Sequence, residues 1–155
     1  MYRCLLIILY LFITSMSLYS QEIKKIVFNH SNAIIIGSGT NIMLEPIENN
    51  RKHKVRVQVN VKEITSYYRI SQDEYNQICD AILKIENDTI AMNTRLIDGS
   101  FTTIGINYRD KERTFYASGL SKNDEKDKQR KNYLNAVNLI TKAARLRMDR
   151  LADYN

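Results

Sequence analysis

The chain has no tryptophan, one proline, two cysteines and five glycines in 155 residues. So few cysteines exclude a disulfide scaffold, and so little proline and glycine exclude collagen-like and low-complexity chains. Hydrophobic residues make up 44% of the sequence and charged residues 26%, which is typical of a globular protein rather than a disordered one. The length fits one domain of ordinary size and is too short for two. The 23 cations exceed the 17 anions by too little to identify a partner from charge alone.

The first 20 residues differ from the rest and predict a secretory signal peptide. Arg3 is followed by an apolar run over residues 5–13 and then by small and polar residues up to Ser20, which is the order found in signal peptides. The run has nine residues, whereas a membrane-spanning helix needs about 20, so we expect cleavage rather than a permanent anchor. The cut is expected after Ser17 or after Ser20, because a small residue precedes either bond.

Removal of residues 1–20 changes both the charge and the cysteine content. The chain from Gln21 onward keeps 22 cations and 17 anions, a net charge of +5, and Cys79 is its one cysteine. An internal disulfide is then impossible, so the single domain predicted for residues 21–155 depends on its packed core. A chain that begins at Gln21 resembles many exported proteins of the Bacteroidota, and this likeness is confined to the leader. We expect a periplasmic or secreted protein with no transmembrane span after cleavage.

Alternation and turn signals predict an antiparallel sheet of short strands. Valines alternate with polar residues over 55–61, which indicates a strand with one dry and one wet face. Pro46 is expected to end the strand before it. A strand over residues 26–28 at an edge of the sheet, open to pairing with another chain, is an alternative that the sequence leaves open. The remaining strands are predicted over residues 33–36, 42–44, 95–97, 101–108 and 113–117, with turns at 37–40, 98–99 and 109–112.

Two helices are predicted to cover the dry face of this sheet. The first spans about residues 71–86, because Ser71 and Glu74 have the spacing of a capping box. The second spans about residues 122–152, because apolar residues recur there at spacings of three and four. Strands, helix, strands and helix in this order describe an α+β domain, an antiparallel sheet covered by two helices.

Residue types that serve catalysis or metal binding are scarce. His30 and His53 are not at helical spacing, and we predict both to be exposed residues at strand ends. Cys79 lies beside isoleucines in the first predicted helix, which favours a buried core residue over a nucleophile. The carboxylates lie at a helix start or in turns, where no acid and base pair of a glycosidase can be assigned. No catalytic, metal or cofactor site is therefore predicted, and an enzyme is disfavoured without being excluded.

The C-terminal part carries the main concentration of positive charge. Residues 121–150 hold nine cations and four anions, a surplus of five that equals the net charge from Gln21 onward. Cations near a helix C-terminus are favourable in any helix, so this segment has an ordinary explanation as a solvated face. The alternative is a docking face for an acidic protein surface, formed by Lys131, Lys142 and Arg145 opposite the buried stripe. Nucleic acid is not an expected partner, because the sequence has no nucleic-acid motif and predicts export.

Three classes of function remain, in order of preference. The first is a non-enzymatic exported module of the bacterial envelope that binds an envelope or secreted protein. Its small size and its sheet-plus-helices pattern resemble periplasmic inhibitor and immunity proteins in outline, so that type is included in the hypothesis. The second is a small envelope or secreted hydrolase, and the third is an envelope-associated scaffold domain.

Overall fold

The computed structural model describes residues 23–32, 39–48, 53–90, 100–109, 111–118 and 127–147. The predicted signal peptide and the predicted strands over residues 33–36 and 95–97 lie outside these ranges, as does the turn at 98–99. The elements follow one another as β1 (Ile23–Asn32), β2 (Thr40–Pro46), β3 (Lys54–Val61), β4 (Ile64–Ser71), α1 (Gln72–Leu83), β5 (Thr89–Ile90), β6 (Ser100–Tyr108), β7 (Lys111–Ser118) and α2 (Lys128–Ala143).

The strands form one sheet in the order β4-β3-β2-β1-β6-β7-β5. Six of them are antiparallel to their neighbours, and the two-residue β5 pairs with β7 in parallel. The α+β prediction is confirmed in this respect. The alternative of an edge strand over residues 26–28 is wrong, because β1 lies in the middle of the sheet and pairs with β2 on one side and β6 on the other.

The core lies between the sheet and the two helices. Alternate residues of β2, β3 and β6 are buried on this side, as in β3, where Val55, Val57 and Val59 are buried while Arg56 is exposed. We call the buried side the core face and the other side the open face. Period-two alternation of valine with polar residues therefore gave the correct strand and the correct wet and dry faces.

The start of α1 agrees with the sequence prediction. The Ser71 hydroxyl accepts a hydrogen bond from the Glu74 backbone N–H over 3.2 Å, and the Glu74 carboxylate accepts one from the Ser71 backbone N–H over 2.9 Å. These two bonds are the reciprocal pair of a capping box, which satisfies N–H groups that have no partner within the helix. The predicted N-cap is confirmed.

The two helices run antiparallel to each other. At one end, the Lys128 ammonium of α2 lies 3.1 Å from the Glu86 carboxylate just after α1, and the Asn132 side chain donates to the Lys84 carbonyl over 2.8 Å. The C-terminal end of α1 is thus beside the N-terminal end of α2. The antiparallel arrangement lets both helices bury one stripe against the same sheet face.

The helix α2 is shorter than the predicted span of 122–152. It begins at Lys128, because the Asp127 carboxylate caps it by accepting hydrogen bonds from the backbone N–H groups of Gln129 and Arg130. It ends at Ala143, where Arg145 takes a left-handed conformation with φ of 58° and the chain turns away. The Arg145 N–H then donates to Lys142 O over 3.0 Å and the Leu146 N–H to Thr141 O over 2.9 Å. This pair of bonds is a Schellman motif, in which glycine is the usual residue at the position that Arg145 occupies.

The two histidines have different environments. His53 is exposed, as predicted. His30 is 95% buried, so the prediction of an exposed strand end is wrong for it. The reason is the length of β1, which continues to Asn32 and places His30 on the core face in register with Thr40 and Thr102. Its Nδ1 lies 3.0 Å from the Thr102 hydroxyl.

Candidate functional site

Of the three cations predicted to form a docking face, Lys131 lies apart from Lys142 and Arg145. Lys131 and Lys142 are both exposed on α2, and eleven residues of helix separate them by about 16 Å along the axis. Lys142 lies toward the first turn of α1, where its charge contributes to a lowered pKa of the Glu74 carboxyl, after the larger effect of the hydrogen bonds from Ser71. Arg145 lies beyond the end of α2. Lys142 and Arg145 are therefore neighbours at the C-terminal end of α2, joined by the bond from the Arg145 N–H to Lys142 O, while Lys131 lies near the other end of the helix.

Arg145 instead packs against the outermost strand on one side of the sheet. Its guanidinium carbon lies 4.6 Å from the centre of the Tyr68 ring in β4. That distance is within the range of a cation–π contact.

Two more arginines lie on the open face of the sheet, on the other side of β4 from the Tyr68 ring. Arg56 of β3 and Arg69 of β4 are directly opposite each other in the register of the hairpin, and both are exposed. Tyr67, 66% exposed, is on the same face of β4. On the other side of Arg56, Glu45 of β2 is the residue opposite it. Arg56 and Arg69 carry like charges directly opposite each other. Their repulsion lowers the stability of the hairpin and creates a positive potential on this face.

These residues form one depression that wraps around β4. Its volume is about 750 Å³, and its lining residues are Arg56, Tyr67, Tyr68, Arg69 and Arg145. We call this set the arginine–tyrosine edge. It includes one of the three predicted cations, whereas Lys131 and Lys142 are not part of it.

The chemistry of the arginine–tyrosine edge suits recognition of carboxylates. Each guanidinium presents a planar set of donors that matches a carboxylate, and the tyrosine rings offer apolar surface with a polar tip. Arginine and tyrosine are also the residue types that most often dominate protein interfaces. The five side chains include no carboxylate, imidazole or thiol, the groups that most often act as bases or nucleophiles. This arrangement can bind an acidic group.

Sequence analysis missed four of the five residues of this edge. Arg56 and Arg69 are 13 positions apart in the sequence and meet because β3 and β4 form a hairpin with a two-residue turn at Lys62 and Glu63. Both turn residues have positive φ, of 49° and 68°, as a type I′ turn requires. The usual signal for such a turn is Asn-Gly or Asp-Gly, so Lys-Glu gave no indication of the register. Once the turn at Lys62 and Glu63 is placed, the register of β4 with β3 follows, and the alternation along β4 then puts Arg69 on the same face as Arg56.

A second, smaller groove lies on the open face at the middle of the sheet. Its volume is about 270 Å³, and it forms over Gly105, which has no side chain to fill the space between Val27 and Thr114. Beside it, the Asn29 side chain accepts a hydrogen bond from Asn41 and donates one to Thr103 over 3.3 Å. The groove is lined by uncharged amides and hydroxyls together with a few charged residues at one end.

Cys79 is a core residue, as the sequence indicates. Its side chain is fully buried, and burial raises the pKa of the thiol to about 12. The thiol is therefore protonated at neutral pH and is not a nucleophile in the folded state. Within the described ranges, no three histidine, cysteine, aspartate or glutamate side chains come close enough to hold a metal ion. Nor does that part of the chain contain a helix with the length and apolar character to cross a membrane.

Comparison with known proteins adds no relative from which a function can be transferred. No protein-family model matches the chain, and no curated protein matches it.

Proposed function

We propose that this chain is a non-enzymatic, exported module that binds an acidic segment of another protein through the arginine–tyrosine edge. The proposal is carried by one observation: Arg56, Arg69 and Arg145 approach two tyrosines at an outermost strand from both of its sides. Three guanidinium groups around one strand create a positive potential that favours an anionic partner, although Glu45 opposite Arg56 offsets part of it.

The proposal is supported by the exposure of the residues involved. Tyr67 keeps 66% of its surface accessible, and Arg56, Arg69 and Arg145 are all exposed. Covering a tyrosine and pairing an arginine at the same time combines apolar burial with directional bonds, which is the usual composition of an interface hot spot. The cations of α2 would then raise the rate of encounter with an acidic partner more than its final affinity.

The envelope location rests on the leader, and the class of partner rests on the charge. With a net charge of +5 from Gln21 onward, an envelope or secreted protein with an acidic surface is the partner that we propose. An inhibitor or immunity protein is the type of module that this small exported domain resembles in outline.

The experiment is a pull-down from envelope extract with the tagged chain from Gln21 onward, washed at low and at high salt and read by mass spectrometry. Three proteins are compared: the wild type, the edge variant Arg69→Ala/Arg145→Ala, and the helix variant Lys131→Ala/Lys142→Ala. Both variants lose two positive charges, so a difference between them does not come from net charge. Circular dichroism and thermal melting confirm that each remains folded.

We expect the wild type and the helix variant to retain one stoichiometric acidic protein at high salt, and the edge variant to lose it. Loss in the helix variant with retention in the edge variant would move the site to α2. Retention of nothing, or release of everything by salt, would contradict a specific protein partner. In that case the envelope-scaffold and hydrolase alternatives become the leading ones.

A further inference from the structure

The backbone of β4 offers unused hydrogen bonds beside the arginine–tyrosine edge. In the part of the chain that the structure describes, β4 is outermost on its side of the sheet and pairs with β3 alone. The two-residue turn is closed by Val61 and Ile64, and the closing pair of such a turn is hydrogen-bonded. Bonded and non-bonded pairs then alternate along the hairpin. Thr65, Tyr67 and Arg69 therefore direct their N–H and C=O groups away from β3.

The Ser71 backbone supports this assignment. By the same alternation its N–H also faces outward, and it donates to the Glu74 carboxylate over 2.9 Å rather than to a strand. The capping box thus ends the open part of the edge. The outward groups that remain for another chain lie over residues 65–69.

The β4 edge lacks the features that usually prevent strand pairing. Its eight residues include no proline and no lysine, and Arg69 is its one charge. Ile64 is 71% exposed at its start. The other edge of the sheet has such protection. There β5 pairs with part of β7, and the Arg113 guanidinium of β7 lies 2.6 Å from the Asp88 carboxylate. Among the described residues, the β7 side is covered in this way and the β4 edge is not.

We propose, as an extension of the proposed function, that the acidic segment of the partner adds to β4 as an extended strand. The side chains of an added strand alternate between the two faces of the sheet. Those on the open face would meet Arg56 and Arg69, and those on the core-face side would meet Arg145 over Tyr68. Carboxylates on either side of the added strand therefore reach a guanidinium, which is why an acidic β-strand fits this edge.

A second copy of this chain is a poorer occupant. Pairing of two β4 strands would bring two sets of the same three arginines to one seam, and like charges in such a seam oppose association. The positive charge of the edge thus both recruits an acidic strand and discourages self-pairing.

The test measures binding of a fluorescent peptide of about nine alternating glutamate and valine residues with blocked ends. A lysine and valine peptide of the same length is the control for charge. The protein is the chain from Gln21 onward, as wild type, Thr65→Pro and Thr65→Ala. Thr65→Pro removes an outward N–H and leaves every side chain of the arginine–tyrosine edge in place. Because that N–H does not bond to β3, proline is compatible with the hairpin.

We expect Thr65→Pro to weaken binding of the acidic peptide by at least about tenfold and Thr65→Ala to leave it unchanged. Equal binding of the peptide by wild type and Thr65→Pro would overturn strand addition. The proposed function is decided separately, by whether the variant Arg69→Ala/Arg145→Ala loses the acidic protein in the pull-down. Absence of peptide binding to the wild type would overturn strand addition as well. A wild-type dimer that Thr65→Pro dissociates would show that a second copy occupies the edge.

If Thr65→Pro fails to fold, a second experiment changes the peptide instead of the protein. Two peptides are methylated on the backbone nitrogens of either the glutamates or the valines. In an added strand only every second N–H faces β4, so one methylated peptide should lose binding and the other should keep it. Equal effects of the two methylation patterns would contradict the inference.

Discussion

Two buried tyrosine hydroxyls connect the helices to the sheet. The Tyr75 hydroxyl of α1 donates to Ile23 O of β1 over 2.9 Å, and the Tyr133 hydroxyl of α2 donates to Thr102 O of β6 over 3.0 Å. Burial is the main reason that the pKa of each phenol is raised far above its ordinary value. Each ring therefore contributes apolar contact, and its buried hydroxyl has a backbone carbonyl as hydrogen-bond acceptor.

These phenols predict a loss of stability at alkaline pH. Folding raises the pKa of each phenol above the value of about 10 that it has in the unfolded chain. The stability contributed by the neutral phenol is therefore fully present below about pH 10 and is lost as the pH rises above that value. We expect Tyr75→Phe and Tyr133→Phe each to cost about 1 kcal/mol at neutral pH, because a buried carbonyl loses its donor. Urea unfolding at neutral pH and above pH 10 checks both points. The double variant should lose less additional stability at high pH than the wild type, and an equal loss would contradict the assignment.

At the scale of elements, the predictable parts were those with local signals. Ser71 and Glu74 marked the start of α1, and the alternating valines marked β3, because both signals lie within a few residues of the feature that they predict. The end of α2 had no such signal, since Arg145 takes a left-handed conformation that sequence patterns associate with glycine. His30 was misplaced for a related reason, because its burial depends on how far β1 extends. The arginine–tyrosine edge depends on the β3–β4 register, which no residue of the turn indicated.

The capping box predicts a specific dependence on acid. The hydrogen bonds from Ser71 lower the pKa of the Glu74 carboxyl, so its contribution is present above the ordinary value and is lost as the pH falls through the folded value. We expect Ser71→Ala to cost about 1 kcal/mol at neutral pH. Glu74→Gln should reduce the loss of stability between neutral and acid pH, as measured by urea unfolding. An acid dependence identical to that of the wild type would contradict a role for this carboxylate.

The β3–β4 turn predicts a stabilising substitution. Lys62 and Glu63 both have positive φ, which costs energy in residues with a side chain. We expect Lys62→Asn/Glu63→Gly to raise the free energy of unfolding by about 1 kcal/mol, since Asn-Gly favours this turn type and the net charge is unchanged. Thermal and urea unfolding provide the measurement. The control Lys62→Ala/Glu63→Ala also conserves net charge but keeps the strained φ values, so it should give no such gain.

At the scale of the whole molecule, the predicted signal peptide implies that the mature protein is shorter than the translated chain. We expect an intact mass that corresponds to a start at residue 18 or 21, because a small residue precedes each of these cleavage positions. Mass spectrometry of the protein recovered from an envelope fraction provides the measurement. A mass that still includes Met1 would contradict cleavage, and the net charge and cysteine content of the working protein would then be those of the full sequence.

The central position of β1 has a consequence for the order in which the chain folds. β1, the first strand in the part of the chain that the structure describes, has β6 as one of its two neighbours, and paired residues such as Asn29 and Thr103 are 74 positions apart. At about 5–20 residues per second, synthesis leaves about 4 to 15 s between the appearance of these two strands. During that interval one side of β1 has no native neighbour, although β2, β3, β4 and α1 are already available. A chain whose synthesis stopped after α1 would therefore contain β1 to β4 with one side of β1 unpaired and open to pairing with a wrong strand. The sheet is completed only when the last third of the chain has been made.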